Sequence, residues 1–313
     1  QKDRVDRRAV DVVSINDCRS ENVVKKILIT GATGFIGKNL AETLQKTYEV
    51  LSPNRRELNL LDQESVENYL KSNNFDIVIH AANTNNTRNK KTTDFEALDG
   101  NLRMFFNLER CNAYYERMYY FGSGAEYDRR HYVPFMKEEY FNTYIPEDPY
   151  GFSKYIMSTV SEKSSNVYDL RLFGVYGKYE EWERRFISNA ICRTLTGRSI
   201  TIQQNVFFDY LWIDDLSKIV TWFIEHIPVY KQYNVCRGKS IDLYSLACIV
   251  KEVLNTDCDI IVGNEGLKPE YTGDNNRLLN ELGDFTFSGM HTTICDLSEY
   301  YQNHMDVIQE ELL

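Results

Sequence analysis

No Cys-x-x-Cys pair occurs in this chain of 313 residues, and its seven cysteines (Cys18, Cys111, Cys192, Cys236, Cys248, Cys258, Cys295) are odd in number and scattered. Such spacing suggests neither a disulfide framework nor a zinc site, so no metal is expected. It fits a reducing, cytoplasmic setting. No apolar run approaches the roughly 20 residues of a membrane span, and no signal-peptide pattern is present. Basic residues are in deficit, with 36 Lys and Arg against 46 Asp and Glu and a net charge of −10. That balance argues against nucleic acid or an anionic membrane as the main partner, although a local basic cluster can still hold an anionic substrate. Internal repeats and low-complexity tracts are also lacking.

What is present is ordinary for a folded protein: 42% hydrophobic and 26% charged residues, in a chain long enough for one large domain or two modest ones. Residues 1–24 are charged and without a sustained period, and are expected to be a flexible leader or linker, either an expression remnant or the tail of a preceding domain. From there, strand-like and helix-like runs alternate. Strands are expected over 26–30, 49–52, 75–80, 117–121 and 167–172, and helices over 36–47, 63–71, 95–114 and 150–161. The alternation predicts an α/β, doubly wound fold: a parallel sheet with helices on both faces and ligands at the carboxyl ends of its strands. Beyond about residue 173 the pattern loosens, with strands expected at 201–203, 206–213 and 232–236 and helices at 242–254 and 278–282. Residues 25–172 are therefore expected to form the main sheet domain. Residues 173–313 would form mainly a smaller lobe, some of whose segments return to the sheet.

The most telling stretch is Gly31-Ala-Thr-Gly-Phe-Ile-Gly37, which follows the first apolar run and opens the first helix. Strand, glycine turn and helix in that order describe a dinucleotide site. Gly31 allows the tight turn, Gly34 lets backbone N–H groups approach a pyrophosphate, and Gly37 lets the helix pack closely on the strand. The helix N-terminus adds free N–H donors and partial positive charge. Thr33, Phe35 and Ile36 lie in the same turn and join the glycines as cofactor-binding candidates.

A second stretch, Tyr150-Gly-Phe-Ser-Lys154, follows Pro149, a helix-start signal. On a helix, positions four apart share a face, so the Lys154 ammonium is expected beside the Tyr150 phenol. A nearby cation stabilises a phenolate and lowers its pKa from about 10. The tyrosine would then exchange a proton near neutral pH, as the acid/base partner of a hydride transfer requires. A chance pairing is the other reading, since the chain has 22 tyrosines. Ser123, in Gly122-Ser123-Gly124, follows the 117–121 run. Its hydroxyl would face a sugar oxygen or a carbonyl, unless it is an ordinary loop serine.

In chain order, Gly31–Gly37, Val78-Ile-His80-Ala81-Ala82, Gly122-Ser123, Tyr150–Lys154, Leu170-Arg171 with Val175-Tyr-Gly177, and Asp209-Tyr-Leu-Trp-Ile-Asp214-Asp215 resemble the extended short-chain dehydrogenase/reductases, the NAD-dependent epimerases and dehydratases of nucleotide sugars. The likeness runs from about residue 25 to 300, where Tyr233-Asn-Val and Asn276–Leu282 are similar to late segments of such enzymes. The resemblance implies a Rossmann domain, a nucleotide-sugar substrate and a homodimer through paired helices. It implies that Ser123 polarises the reacting oxygen, that Tyr150 gives or takes the proton, and that Lys154 holds the nicotinamide ribose and depresses the Tyr150 pKa. Asn101 matches a position that supports the active-site region, and Ala81 and Ala82 line the cofactor groove. His80 lines it too, or is a satisfied buried histidine.

Members that prefer NAD carry an acid after the second strand. Here Ser52-Pro-Asn-Arg55-Arg56 stands there. Two arginines suit the 2′-phosphate of NADP, which a guanidinium grips with two hydrogen bonds. NADP(H) is therefore favoured over NAD, with solvated arginines as the other reading. The following Glu57-Leu-Asn-Leu-Leu-Asp62 is similar to a segment of the GDP-fucose synthase branch, which uses NADP, and places Asp62 toward the adenine.

Dehydratases of the family carry Asp-Glu directly after the serine, where this chain has Gly124 and Ala125. A 4,6-dehydration is thereby disfavoured. Ala125 also replaces the cysteine that epimerises C3 and C5 in the fucose synthases. Two reactions remain: reduction of a 4-keto (deoxy)sugar nucleotide by NADPH, which is favoured, and C4 epimerisation on tightly bound NAD. A dinucleotide sensor that keeps the fold without the chemistry is a third expectation. Gly174 stands where the family has an Asn for the substrate diphosphate, and Phe208 where it has an Arg. Arg184, Arg185, Arg193 or Lys178 would compensate; Arg185 joins Ser123 and Gly124 as a substrate-binding candidate. Asp214-Asp215 has a plain alternative as a buried structural pair or helix cap.

Overall fold

The computed structural model describes residues 24–84 and 91–313, so the expected leader up to residue 23 lies outside the described residues. The first half alternates as expected: β1 (Lys26–Thr30), α1 (Phe35–Leu44), β2 (Glu49–Leu51), α2 (Gln63–Asn73), β3 (Phe75–His80), α3 (Asp94–Glu109), β4 (Tyr115–Ser123), α4 (Pro149–Lys163) and β5 (Val167–Leu172). There follow β6 (Gly174–Tyr176), α5 (Phe186–Leu195), β7 (Ile200–Asn205), β8 (Phe207–Trp212), α6 (Ile213–Glu225), β9 (Gln232–Val235), β10 (Ser240–Asp242), α7 (Leu243–Val253), β11 (Ile260–Leu267), α8 (Asn276–Leu282) and α9 (Met290–Asn303).

The main sheet has the order β2-β1-β3-β4-β5-β9, and all its neighbours are parallel. Chain direction across the sheet reverses between β1 and β3, which opens a ligand crevice at their carboxyl ends. Successive residues of these strands are buried on opposite faces. Ile27, Ile29, Ile77 and Ile79 pack with Leu40 and Leu44 of α1 and Phe223 of α6. Leu28 and Val78 pack with Val66 and Leu70 of α2 and Phe105 and Leu108 of α3. A parallel sheet covered on both sides requires such continuous apolar strands. Truncating one of these side chains to alanine costs about 2–5 kcal/mol.

Beyond β5 the chain builds a second layer. β6 lies parallel to β8, which pairs antiparallel with β10, and β7 pairs with β11 in a separate parallel ribbon. α5, α7 and α9 pack on one another, whereas α6 packs on α1 and β9 returns to the main sheet. Here the sequence expectations fall short. The expectations omit helices α5, α6 and α9 and strand β11. The apolar run read as a strand over 206–213 continues straight into α6, and β11 leaves Ile261, Val262 and Leu267 exposed. The helix expected to reach residue 114 ends at Glu109, and a short 3-10 turn covers Asn112–Tyr114. The strand expected to end at Phe121 runs on to Ser123, which makes this serine its last residue.

Among the described residues, no helix is long and apolar enough to cross a membrane.

Candidate active site

The turn between β1 and α1 is built for close approach. Gly31 has φ +72°, and a Cβ there would lie 2.5 Å from the Ala82 nitrogen. A Cβ at Gly37 would collide with the Gly31 carbonyl. Ala81 and Ala82 are tied to this turn, since the Ala81 N–H donates to the Thr30 carbonyl at 3.2 Å and the Ala82 N–H to Thr30 Oγ1 at 3.3 Å. Gly34 is the N-cap of α1 and brings no side chain to satisfy the helix's first N–H groups. Thr33 is exposed beside it, and Phe35 and Ile36 open the helix against the core. Open N–H donors at a side-chain-free turn fit the pyrophosphate of a dinucleotide.

His80 is buried and shares a 2.8 Å hydrogen bond with Thr30 Oγ1. Burial, with the Lys154 charge beside it, holds its pKa down to about 3, so it is a neutral structural histidine. Asn101 is also buried and braces the chain after β3: Thr84 N–H donates to its Oδ1 at 2.6 Å, and its Nδ2 donates to the Thr84 carbonyl at 3.1 Å. Arg55 and Arg56 are both exposed after β2, in a turn where Asn54 Oδ1 accepts from the Arg56 N–H at 2.8 Å. Asp62 caps α2 by accepting from the Ser65 N–H at 3.0 Å. It lines an open depression of about 530 Å³ with Asn59 and Gln63.

Ser123, Tyr150 and Lys154 meet at the carboxyl end of β4. Ser123 begins a short 3-10 turn, where its Oγ accepts from the Ala125 N–H at 3.1 Å and its own N–H donates to Glu126 Oε1 at 2.9 Å. Asp148 caps α4 by accepting from the Gly151 N–H at 2.9 Å, with Pro149 in the first turn. That places Tyr150 at the helix start and Lys154 one turn on. The Lys154 ammonium lies 5.9 Å from the Tyr150 ring centroid and donates to the Phe121 carbonyl at 2.7 Å.

The electrostatics correct one expectation. Burial pushes the Tyr150 phenol above its usual range. A hydrogen bond with Ser123 and the charges of Arg185 and Arg129 pull it back, while Glu126 pushes it further up. The expected net lowering beside Lys154 is not what this geometry gives, because burial is the largest influence on the phenol. Burial also drives the Lys154 pKa down to about 8, against the opposing charges of Glu126 and Asp169.

Behind the serine lies a buried ion cluster. Arg171 Nε donates to Glu126 Oε2 at 2.6 Å and to Asp169 Oδ2 at 3.1 Å, with all three side chains fully buried. Its remaining nitrogens donate to the Tyr127 hydroxyl and to Ser158 Oγ. Burial, and then the neighbouring Asp169, pushes the Glu126 carboxyl well up. Gly122 gives the cluster room, since a Cβ there would collide with the Asp169 and Glu126 carboxyls.

Of the basic residues expected to hold the substrate, Arg185 is the one whose field reaches Tyr150. It is exposed at the N-terminus of α5 and also acts on the buried Glu180, whose pKa burial pushes up to about 8. Glu180 accepts from Ser188 Oγ, and its Oε2 is buried without a partner. Lys178 is instead paired with Glu42 at 2.7 Å, and Arg193 donates to the Ser199 carbonyl at 2.6 Å. Arg184 lies 3.7 Å from Glu181. Asp215 is structural: it is buried, and it accepts from Ser288 N–H at 2.7 Å and Ser288 Oγ at 2.8 Å.

The two departures from the family pattern have local causes. A Cβ at Gly174 would lie 2.6 Å from the Asp209 carbonyl, so the contact of β6 with β8 admits only glycine. Phe208 belongs to an aromatic wall, with its ring 5.5 Å from Tyr210 and 5.7 Å from Tyr271. Gly124 is likewise a matter of space, because a Cβ there would meet Phe173 at 2.7 Å and the Tyr271 hydroxyl at 2.8 Å. Tyr271 was not foreseen. It lies in an irregular segment after β11, and no motif in the sequence marks it.

The model of the NAD dependent epimerase/dehydratase family matches residues 27–236. Over 58 residues, 18% of this chain, the sequence is 48% identical to GDP-L-colitose synthase of Yersinia pseudotuberculosis, and this match spans 19% of that enzyme. GDP-6-deoxy-D-talose 4-dehydrogenase of Aggregatibacter actinomycetemcomitans is 23% identical over 297 residues, 90% of this chain and 98% of that one. The crystal structure of UDP-glucose 4-epimerase from Thermotoga maritima, with UDP-glucose, superposes with a TM-score of 0.77 at 19% identity. It covers 90% of this chain and 99% of that one, a likeness of fold.

Proposed function

Because the chain belongs to the NAD dependent epimerase/dehydratase family, we propose that it reduces a 4-keto (deoxy)sugar nucleotide with NADPH. The observation that carries this reading is the meeting of Ser123, Tyr150 and Lys154 at the carboxyl end of β4. A phenol that keeps its proton at neutral pH is equipped to act as an acid, which reduction requires of it. An epimerase must first take a proton from a sugar hydroxyl. The similar talose enzyme is named as a 4-dehydrogenase of a deoxysugar nucleotide, which supports redox chemistry at C4.

The N–H groups in the first turn of α1, which Gly34 leaves without a side-chain cap, would hold the pyrophosphate of the dinucleotide. Arg55 and Arg56 would hold its 2′-phosphate, and Lys154 its nicotinamide ribose. When bound, the nicotinamide supplies the hydride. Ser123 already accepts from the Ala125 N–H, so its own proton is available for the carbonyl oxygen of the sugar. Tyr150 transfers its proton to that oxygen as negative charge develops there. Arg185 would face the substrate's diphosphate. The reading includes a homodimer through α3 and α4, where Phe95 is 76% exposed.

The test follows absorbance at 340 nm with NADPH and candidate 4-keto-6-deoxy sugar nucleotides. Stoichiometric loss of NADPH is the expected result. Interconversion of sugars without net loss would replace this reading with a C4 epimerase, and binding without either would leave a sensor.

A further inference from the structure

We propose that Tyr271 positions the Ser123 hydroxyl at the reacting centre, through the space that Gly124 leaves open. The inference deepens the function proposed above and rests on Ser123 being the group that polarises the reacting oxygen. The Tyr271 hydroxyl lies 3.5 Å from Ser123 Oγ. It also lies 2.8 Å from where a Gly124 Cβ would be, so a side chain at 124 would press on this hydroxyl.

The phenol is fixed from both sides. The Tyr271 N–H donates to the Phe207 carbonyl at 2.9 Å, and the Asp209 N–H donates to the Tyr271 carbonyl at 3.2 Å. One residue on, the Met136 N–H donates to the Thr272 carbonyl at 3.0 Å, and Asp274 N–H returns to the Met136 carbonyl at 2.8 Å. The segment therefore bridges β8 and the loop after β4. Phe173 and Tyr132 each hold the ring with centroids 5.1 Å away.

A serine oxygen has two lone pairs and one proton. The Ala125 N–H takes one lone pair of Ser123. Either oxygen can donate in the Ser123–Tyr271 contact; with Tyr271 as the donor to the other lone pair, the serine proton is left for donation outward. Its direction is then set before substrate arrives, a pre-organised donor of the kind that stabilises developing negative charge. Ser123 also lowers the Tyr150 pKa, so the direction of its hydroxyl bears on that phenol. The charged groups facing this centre are Glu126 in the turn after β4, Arg129 beyond it, Lys154 on α4 and Arg185 at the start of α5.

The experiment places 3-fluorotyrosine at position 150 and follows its titration by fluorine NMR in the protein alone, with Tyr at 271 and in Tyr271→Phe. Loss of the Tyr271 hydroxyl weakens donation from Ser123 to the phenolate, so the position 150 phenol is expected to titrate about half a unit or more higher. In turnover, Tyr271→Phe is expected to lower kcat about tenfold with KM within about twofold and an unchanged melting curve. An unmoved titration, or a loss confined to KM or to melting temperature, overturns the inference. A wild-type protein that turns over no 4-keto sugar nucleotide would instead refute the proposed reaction, and the titration would still decide the role of Tyr271.

Discussion

Lys154 donates to the carbonyl oxygen of Phe121 at 2.7 Å, from one turn into α4 to two residues before the serine that ends β4. This bond ties the helix that carries Tyr150 to the strand that carries Ser123, and so sets their spacing. A buried ammonium seeks the nearest oxygen, and here that oxygen is backbone.

Tyr150→Phe keeps the ring and removes the transferable proton. Turnover is expected to fall by about 10²-fold or more. NADPH affinity, measured by fluorescence titration, is expected to stay within about twofold. Retained turnover would remove Tyr150 from the chemistry.

Arg55→Ala combined with Arg56→Ala removes two exposed guanidiniums after β2. The double variant is expected to raise KM for NADPH about tenfold and to leave KM for NADH nearly unchanged. Equal changes with the two cofactors would exclude a 2′-phosphate contact.

Arg171→Met leaves Glu126 and Asp169 buried without their cation. Breaking such a pair on one side costs about 3–5 kcal/mol, to be read from urea denaturation. A loss below about 1 kcal/mol would mean that the carboxyls already share a proton and need no arginine.

Glu180 supplies a pH dependence. Its carboxyl has a pKa of about 8 when folded, against 4.5 ordinarily. The folded state therefore keeps a proton that the unfolded chain has lost, and stability falls as pH rises from 4.5 to about 8. This contribution is on the order of a few kcal/mol. Glu180→Gln is expected to flatten that fall between pH 5 and 8, measured by denaturation at each pH. Parallel pH curves for the two proteins would assign the dependence elsewhere.

The first half of the fold was legible because its signals are local. Continuous apolar strands, a glycine turn and Pro149 before Tyr150 each report their own element. Ser123, Tyr150 and Lys154 could be marked for the same reason. Tyr271 could not, since its place depends on backbone pairing with Phe207, Asp209 and Met136, contacts that no neighbouring residue in the sequence announces. The Tyr150 pKa was misjudged because spacing reports proximity, whereas burial has the largest influence on the phenol. Helix α9 mixes Thr293 and Ser298 into its buried face, which blurs the period that would have revealed it.

The vacancy at Gly122 binds four positions into one inheritable unit. Any side chain there displaces the carboxyls of residues 126 and 169, and with them the guanidinium of residue 171. Libraries that seek a new sugar preference should hold these four constant, together with Gly124 and Tyr271, and randomise 173 and 208 in the aromatic wall.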